Sequence, residues 1–286
     1  MLTETMEKVQ TVDIDEMQEF NEDSMRVLLS QIIAEDTLEE VNRKSEPVCP
    51  RRSFYTEYGK RIIDLILSGC ALIVTAPINL VLAICTFFDV GRPIFFRQER
   101  PGKDGKTFSV IKFRNMTNEK DANGTLLPAK DRVTKFGEFV RKTSLDELLN
   151  FWSVFKGDMS LIGPRPLAKN YTSRFSERHK RRDAVRPGLE CPFLTPADHK
   201  RTWKEQFEND IYYVEHLSFK LDVRMVFALI RTVFDRKSSD TRGSALRGSF
   251  VGYDAEGNSI NSKHVPEKYV RLALQKAEEK KLVGVS

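Results

Sequence analysis

Apolar positions recur along this chain with several different spacings, and each spacing predicts its own element. Between Ser24 and Asn42 the residues Met25, Leu28, Leu29, Ile32, Ile33, Leu38 and Val41 return about every 3.6 positions with acids between them, which predicts an amphipathic helix. Pro47 and Pro50 make Ser45 to Arg52 a linker. From Ile62 to Phe88 there are 27 residues with one charge, Asp64, more than the roughly 20 apolar residues that cross a bilayer. Ile94 to Phe96 and Thr107 to Phe113 read as a strand pair around the turn from Arg100 to Gly105. Helical patterns follow at Val133 to Arg141, Asp146 to Phe155, Leu167 to Arg182 and Leu221 to Phe234. The last is apolar with Arg224 and Arg231 seven apart, which suits a helix lying in a membrane interface and also a core helix. Beyond Arg236 the chain is polar and Ser/Gly-rich to Asn261, and Glu267 to Lys281 can form a short surface helix.

Two details shape the membrane segment. Pro77 lacks a backbone donor and clashes with the preceding turn, so the helix is expected to kink or break at Ala76-Pro77. Basic residues flank both sides, Arg51, Arg52, Lys60 and Arg61 before and Arg92, Arg97 and Arg100 after, whereas a span normally has one basic side. A re-entrant helix hairpin that enters and leaves on the cytoplasmic face satisfies both; an ordinary span is the alternative. The expected class is therefore α+β, mostly helical, with a re-entrant membrane helix hairpin followed by a cytoplasmic domain with interfacial amphipathic helices. Its divisions are an acidic extension (1–52), the membrane helix (53–91), a basic body (92–236) and a polar tail with a short helix (237–286).

Charge is distributed unevenly. Residues 1–46 hold 13 acids and 4 bases, a net of −9 in a chain of +5, so the other 240 residues carry +14. A basic body calls for an anionic partner such as phosphorylated substrates or lipid head groups. Nucleic acid is disfavoured, because no aromatic residues interleave with the Lys/Arg clusters for stacking. The acidic arm would seat on its own domain or on a second copy of the chain as a homodimer. The four cysteines are scattered without a C-x-x-C pair, which excludes a zinc ribbon and a disulfide framework.

Ser144-Leu145-Asp146-Glu147 admits two readings. As a capping box, Ser144 caps a helix and Glu147 reaches back to it. As chemistry, two adjacent carboxylates at a helix start in a basic domain are a nucleophile and metal ligand for phosphoryl transfer. Arg100, Lys103, Lys112, Arg114, Arg141, Arg165 and Arg186 stand beside Gly, Pro or short polar runs, where a cation can be positioned for phosphate. Gly163-Pro164-Arg165-Pro166 fixes the Arg165 backbone on both sides.

Several runs in one order carry a resemblance: Arg97-Gln-Glu-Arg-Pro-Gly102, Lys112-Phe-Arg-Asn-Met116, Arg141-Lys-Thr-Ser-Leu-Asp-Glu-Leu148, Gly157-Asp-Met-Ser-Leu-Ile-Gly-Pro-Arg-Pro-Leu167 and Val185-Arg-Pro-Gly188. From about Tyr58 to Phe234 the chain resembles the bacterial sugar transferase family, the monotopic polyprenyl-phosphate phosphoglycosyl transferases. The resemblance implies transfer of a sugar 1-phosphate from a UDP-sugar donor to polyprenyl (undecaprenyl) phosphate, with Mg²⁺, releasing UMP. It implies Asp146 as the nucleophile forming an aspartyl-phosphosugar intermediate, Glu147 as its partner in metal binding or in activating the polyprenyl phosphate, and Lys112, Arg141 and Arg165 around the phosphates, where their setting would also put Arg114 and Arg186. It also implies residence at the cytoplasmic face of a bacterial inner membrane among membrane lipids, with downstream glycosyltransferases as partners in surface polysaccharide synthesis. Two departures stand out. The family's membrane helix breaks at Ser-Pro where this chain has Ala76-Pro77, and a G-W-A-Q-V-N-G-R stretch is replaced by Leu189 to His199. The second puts Asp198 where the family has arginine, leaving His199 and Arg201 to compensate in a loop that would read the donor. The rival class is a non-catalytic membrane adaptor on the same scaffold.

Overall fold

The computed structural model describes residues 11–16, 22–122, 124–195, 199–234 and 248–283. In chain order the elements are β1 (Thr11–Val12), α1 (Glu22–Lys44), α2 (Lys60–Val90), β2 (Phe95–Pro101), β3 (Thr107–Phe113), α3 (Ala129–Arg132), α4 (Lys135–Lys142) and α5 (Asn150–Lys156). There follow β4 (Ser160–Ile162), α6 (Glu177–Lys180), β5 (Gly188–Glu190), α7 (Trp203–His216), α8 (Phe219–Phe234), β6 (Phe250–Tyr253), β7 (Ser259–Asn261), β8 (Val265–Pro266) and α9 (Glu267–Val283). The strands form four two-stranded pairs, β1-β8, β2-β3, β4-β5 and β6-β7. Helices predominate, as the apolar spacing predicts.

Helix α2 is long and apolar enough to cross a membrane. It runs unbroken through Ala76 and Pro77, so the expected break is not a division into two helices. A straight helix of its 31 residues would extend about 46 Å. Both of its ends are fastened to one domain. At the start, Arg61 donates to the carbonyls of Val154 and Phe155 at 2.7 Å each, and Asp64 accepts from the Leu161 N–H at 3.1 Å. At the other end, Arg114 donates to the carbonyls of Val90 and Gly91, and the Thr134 hydroxyl donates to Asp89 at 2.6 Å. The buried positions are Asp64, Ser68, Leu82 and Thr86. None of 69–81 is buried, and Ile73 is 77% exposed. The helix thus docks at its two ends and stands clear in its middle.

The β2-β3 hairpin pairs antiparallel from Phe95 with Phe113 to Pro101 with Thr107. Directly opposed residues share a face, so Phe95, Phe113, Arg97 and Ile111 lie on one side and Phe96, Lys112, Arg100 and Phe108 on the other. Strands β4 and β5 pair in parallel, Ser160 with Gly188 and Ile162 with Glu190. This crossing is tight: a Cβ at Gly188 would sit 2.2 Å from the Gly163 nitrogen. Gly188→Ala therefore forces backbone apart, and a loss of about 1–3 kcal/mol, read as a lowered Tm in detergent, is expected. An unchanged Tm would show that the two strands can separate freely.

The expected helix from Leu167 to Arg182 is subdivided into a 3-10 segment Lys169–Arg174, α6 and a second 3-10 segment Arg181–Ala184. Ser176 is the cause, since it accepts from the His179 N–H and starts a new helix after an extended Phe175. Glu208 on α7 accepts from both Arg178 and His179, and His179 also meets the Tyr253 hydroxyl at 2.7 Å. Burial would raise the Glu208 carboxyl, but the bonds from His179 and Arg178 prevail and lower it to about 2.

The two ends of the chain pack together. Met25, Leu29, Ile32 and Ile33 of α1 share a core with Val251, Ile260, Val265, Tyr269, Val270 and Ala273. Val41 joins Phe175, Trp203, Phe207, Phe250 and Tyr253 in a second core that fixes this clasp to α7. The amphipathic stripe of α1 is thus covered by the chain's own C-terminal elements.

Candidate active site

Strand β3 carries Lys112 to its end, and the turn after α4 carries the two acids. Ser144 adopts the left-handed conformation (φ 55°) and makes no side-chain capping bond. The 3-10 turn Leu145–Glu147 follows it, and the α-helix begins only at Asn150. The capping box therefore does not form. Glu147 turns instead toward cations: Lys112 Nζ donates to Glu147 Oε1 at 2.7 Å, and Arg165 donates to the same oxygen. Arg165 is held in place by donating to the Leu189 carbonyl at 3.0 Å.

The adjacent carboxylates are placed in different environments. Asp146 is 7% exposed and, among the described residues, makes no ion pair within 4 Å. Burial raises its carboxyl above the ordinary 3.8, with Lys112 opposing and Glu147 adding to the rise. For Glu147 burial acts upward, but Arg165 and Lys112 outweigh it and hold the group below 4.5. The pair is thus split into a more basic, unpaired Asp146 and a firmly ionised Glu147, the division that assigns separate roles to neighbouring acids. An activity that needs the Asp146 carboxylate falls on the acid side at a pH above 3.8, while Glu147 stays charged. A pH profile of activity with its acid limb at or below that value would contradict this.

The other expected residues divide. Arg141 donates to Asn115 Oδ1 at 2.9 Å and lies close enough to draw the Asp146 carboxyl down. Arg100 sits on the Lys112 face of the ribbon; burial and then Arg165 lower its guanidinium, so a further cation borders the cluster. Arg114 is spent on the end of α2, and Arg186 donates to the Gly157 carbonyl at 3.0 Å, so neither reaches the acids. His199 meets Glu205 at 2.9 Å, and Arg201 donates to Glu205 at 3.2 Å and to the Thr195 carbonyl at 2.8 Å. Both thereby brace the N-terminus of α7, which Thr202 and Glu205 cap. Asp198 lies outside the described residues.

One pair went unread in the sequence. Arg182 donates twice to Asp210, at 2.7 and 3.0 Å, with side chains 2% and 0% exposed, and once to the carbonyl of Arg165 at 2.9 Å. The readable signal was in α7, where Asp210 shares the face of Phe207, Ile211 and Val214 and so points into the core.

Mg²⁺ typically binds through one or two carboxylates with phosphate oxygens and water completing its shell. Among the described residues no three acids, histidines or cysteines gather as a self-sufficient site. Asp146, which makes no ion pair among the described residues, and Glu147, one of whose oxygens is taken by Lys112 and Arg165, are the two carboxylates that could hold such an ion.

Residues 55–236 match the family model described as bacterial sugar transferase. The chain belongs to the bacterial sugar transferase family. It is 40% identical over 193 residues to the uncharacterized sugar transferase EpsL of Bacillus subtilis (strain 168), covering 68% of this chain and 96% of that protein. It is 35% identical over 186 residues to a UDP-N-acetylgalactosamine-undecaprenyl-phosphate N-acetylgalactosaminephosphotransferase of Aeromonas hydrophila, covering 61% of this chain and 43% of the relative. It is also 35% identical over 190 residues to a UDP-glucose:undecaprenyl-phosphate glucose-1-phosphate transferase of Klebsiella pneumoniae, 63% and 41% of the two. The chain thus spans less than half the length of these two named transferases. The family match begins shortly before α2, runs past the end of α8 and leaves the clasp outside it.

Proposed function

We propose that this sugar transferase moves a sugar 1-phosphate from a UDP-sugar to undecaprenyl phosphate, beginning assembly of a surface polysaccharide or glycoconjugate. The observation that carries the reading is the split pair: a buried, unpaired Asp146 beside a Glu147 held by Lys112 and Arg165. An Asp146 oxygen attacks the β-phosphorus of the donor. The bond from that phosphorus to the bridging oxygen breaks, and UMP leaves with the electron pair. The resulting aspartyl-phosphosugar is then attacked by an oxygen of undecaprenyl phosphate, which forms the diphosphate link and returns Asp146 as a carboxylate. Lys112 and Arg165 offset charge on the phosphoryl oxygens in both steps, with Arg141 and Arg100 at the border. Held by Asp146 and Glu147, Mg²⁺ would supply charge neutralisation to the diphosphate.

A water-soluble donor and a bilayer-bound acceptor must meet at one site, which favours a membrane tether beside it. The re-entrant reading of α2 is supported by its two docked ends and its uncovered middle, which set both ends on the side of the catalytic domain. Helix α8 supports an interfacial seat: Leu221 and Met225 face the core while Phe219, Phe227 and Ile230 are exposed. The cytoplasmic face of the inner membrane is where such a donor is available, and glycosyltransferases that extend the product are the natural partners. The test is UMP release from a panel of UDP-sugars with Mg²⁺ and undecaprenyl phosphate. Release with one donor is expected and names the sugar; silence across the panel turns the reading toward an adaptor.

A further inference from the structure

The final turns of α2 and the first residues of β2 enclose an open groove of about 1150 Å³ that plays no part in the chemistry above. Its floor and walls are apolar, from Ile84, Phe87, Phe88 and Phe95, and its rim carries Arg92 and Arg97. No acidic residue lines it. Phe88 is 81% exposed, a costly position in water for a side chain of that size. Arg92 stands 5.8 Å from the Phe87 ring, and neither arginine makes an ion pair within 4 Å among the described residues. Two unneutralised guanidinium groups above an aromatic trough, at the end of a helix of bilayer-crossing length, complement a phosphate joined to hydrocarbon chains.

The location decides which lipid. Phe95 and Arg97 lie on the Phe113 face of the β2-β3 ribbon, their rings in contact at 5.6 Å between Phe95 and Phe113. Lys112, the cation on Glu147, lies on the opposite face with its strand partner Phe96. A phosphate bound at Arg92 and Arg97 is therefore on the ribbon face away from the Lys112 that holds Glu147. We infer that the groove is a structural lipid site for an anionic phospholipid of the surrounding bilayer, held by its phosphate at Arg92 and Arg97 and by its acyl chains along the phenylalanines. Its effect would be to seat the outgoing half of α2 and the start of the catalytic domain against the head groups. The inference rests on the reading of α2 as membrane-embedded, and it does not require the transferase reaction.

The test uses the full chain in detergent, equilibrated with equal amounts of phosphatidylglycerol and phosphatidylcholine and examined by native mass spectrometry. The wild type is expected to retain phosphatidylglycerol about tenfold over phosphatidylcholine, the size of one charge-assisted contact. The Arg92→Gln/Arg97→Gln double variant should retain the two equally. Phe88→Ser, at an exposed position that leaves the fold alone, should lower retention of both while keeping their ratio. Asp146→Asn should match the wild type in lipid preference, which separates this site from the reaction. Equal retention by the wild type, or an unchanged ratio in the double variant, overturns the inference. Displacement of phosphatidylglycerol by an equimolar amount of undecaprenyl phosphate also overturns it, because the groove would then belong to the acceptor. Recovery of the whole chain from the soluble fraction removes the membrane reading and the inference together.

Discussion

Asp146→Asn is expected to lower UMP release by about 10⁴-fold or more, because the substitution replaces the attacking carboxylate with a weakly nucleophilic amide and leaves only binding and the surrounding cations. The fold should not suffer. Asn has the same shape, and the Asp146 carboxyl is raised by burial, meaning that its charged form is less favourable in the folded chain than in the unfolded one. At neutral pH the neutral amide removes that penalty, so Tm should equal or exceed that of the wild type. The direction is opposite to that of an ordinary core substitution and marks a group retained for chemistry at some expense of stability. Activity within tenfold of the wild type would remove Asp146 from the reaction, and a large fall in Tm would make its role structural.

The second large effect is on stability. Asp210→Ala leaves the Arg182 guanidinium buried between the Phe175 and Phe207 rings without its counter-charge. Breaking a buried pair from one side costs about 3–5 kcal/mol, which corresponds to a fall in Tm of roughly 6–15 °C for a chain of this size. Replacing both partners with apolar residues, as Arg182→Met with Asp210→Leu, should cost less, since no charge is then stranded. Activity should fall further than stability alone explains, because Arg182 also holds the carbonyl of Arg165. A single variant with Tm within about 2 °C of the wild type would mean that water reaches the pair and that the burial does not hold.

The sequence disclosed the elements whose signal is local. The stripe of α1, the apolar run of α2, the hairpin around Gly105 and the exposed apolar face of α8 each follow from spacing and turn chemistry within a few residues. What escaped depends on partners far along the chain. The α1 stripe has its complement in Val251, Ile260 and Val270, more than 200 positions away, the first two in a stretch that reads as polar and the third in what reads as a surface helix. At Asp146 and Glu147 the types were legible and the local geometry was not: Ser144 in the left-handed region sacrifices the capping box so that Glu147 can meet Lys112 and Arg165. The basic residues show the limit of charge as a guide. Arg114 and Arg186 satisfy backbone carbonyls, and Arg182 satisfies a buried acid, yet all three look like Arg141 in a string of letters.

The clasp gives synthesis of this protein an awkward interval. Helix α1 leaves the ribosome early, but the residues that cover Met25, Leu29 and Ile33 lie beyond position 250. At 5–20 residues per second, roughly 10–50 s pass before its lid is made. Meanwhile α2, long and apolar enough to cross a membrane, emerges next, and the domain that follows can fold behind it. For that interval a 23-residue helix with an uncovered apolar stripe waits beside a membrane. Its dense acidic face is suited to that wait, since negative lipid head groups repel it and keep the stripe from being captured before the C-terminus arrives.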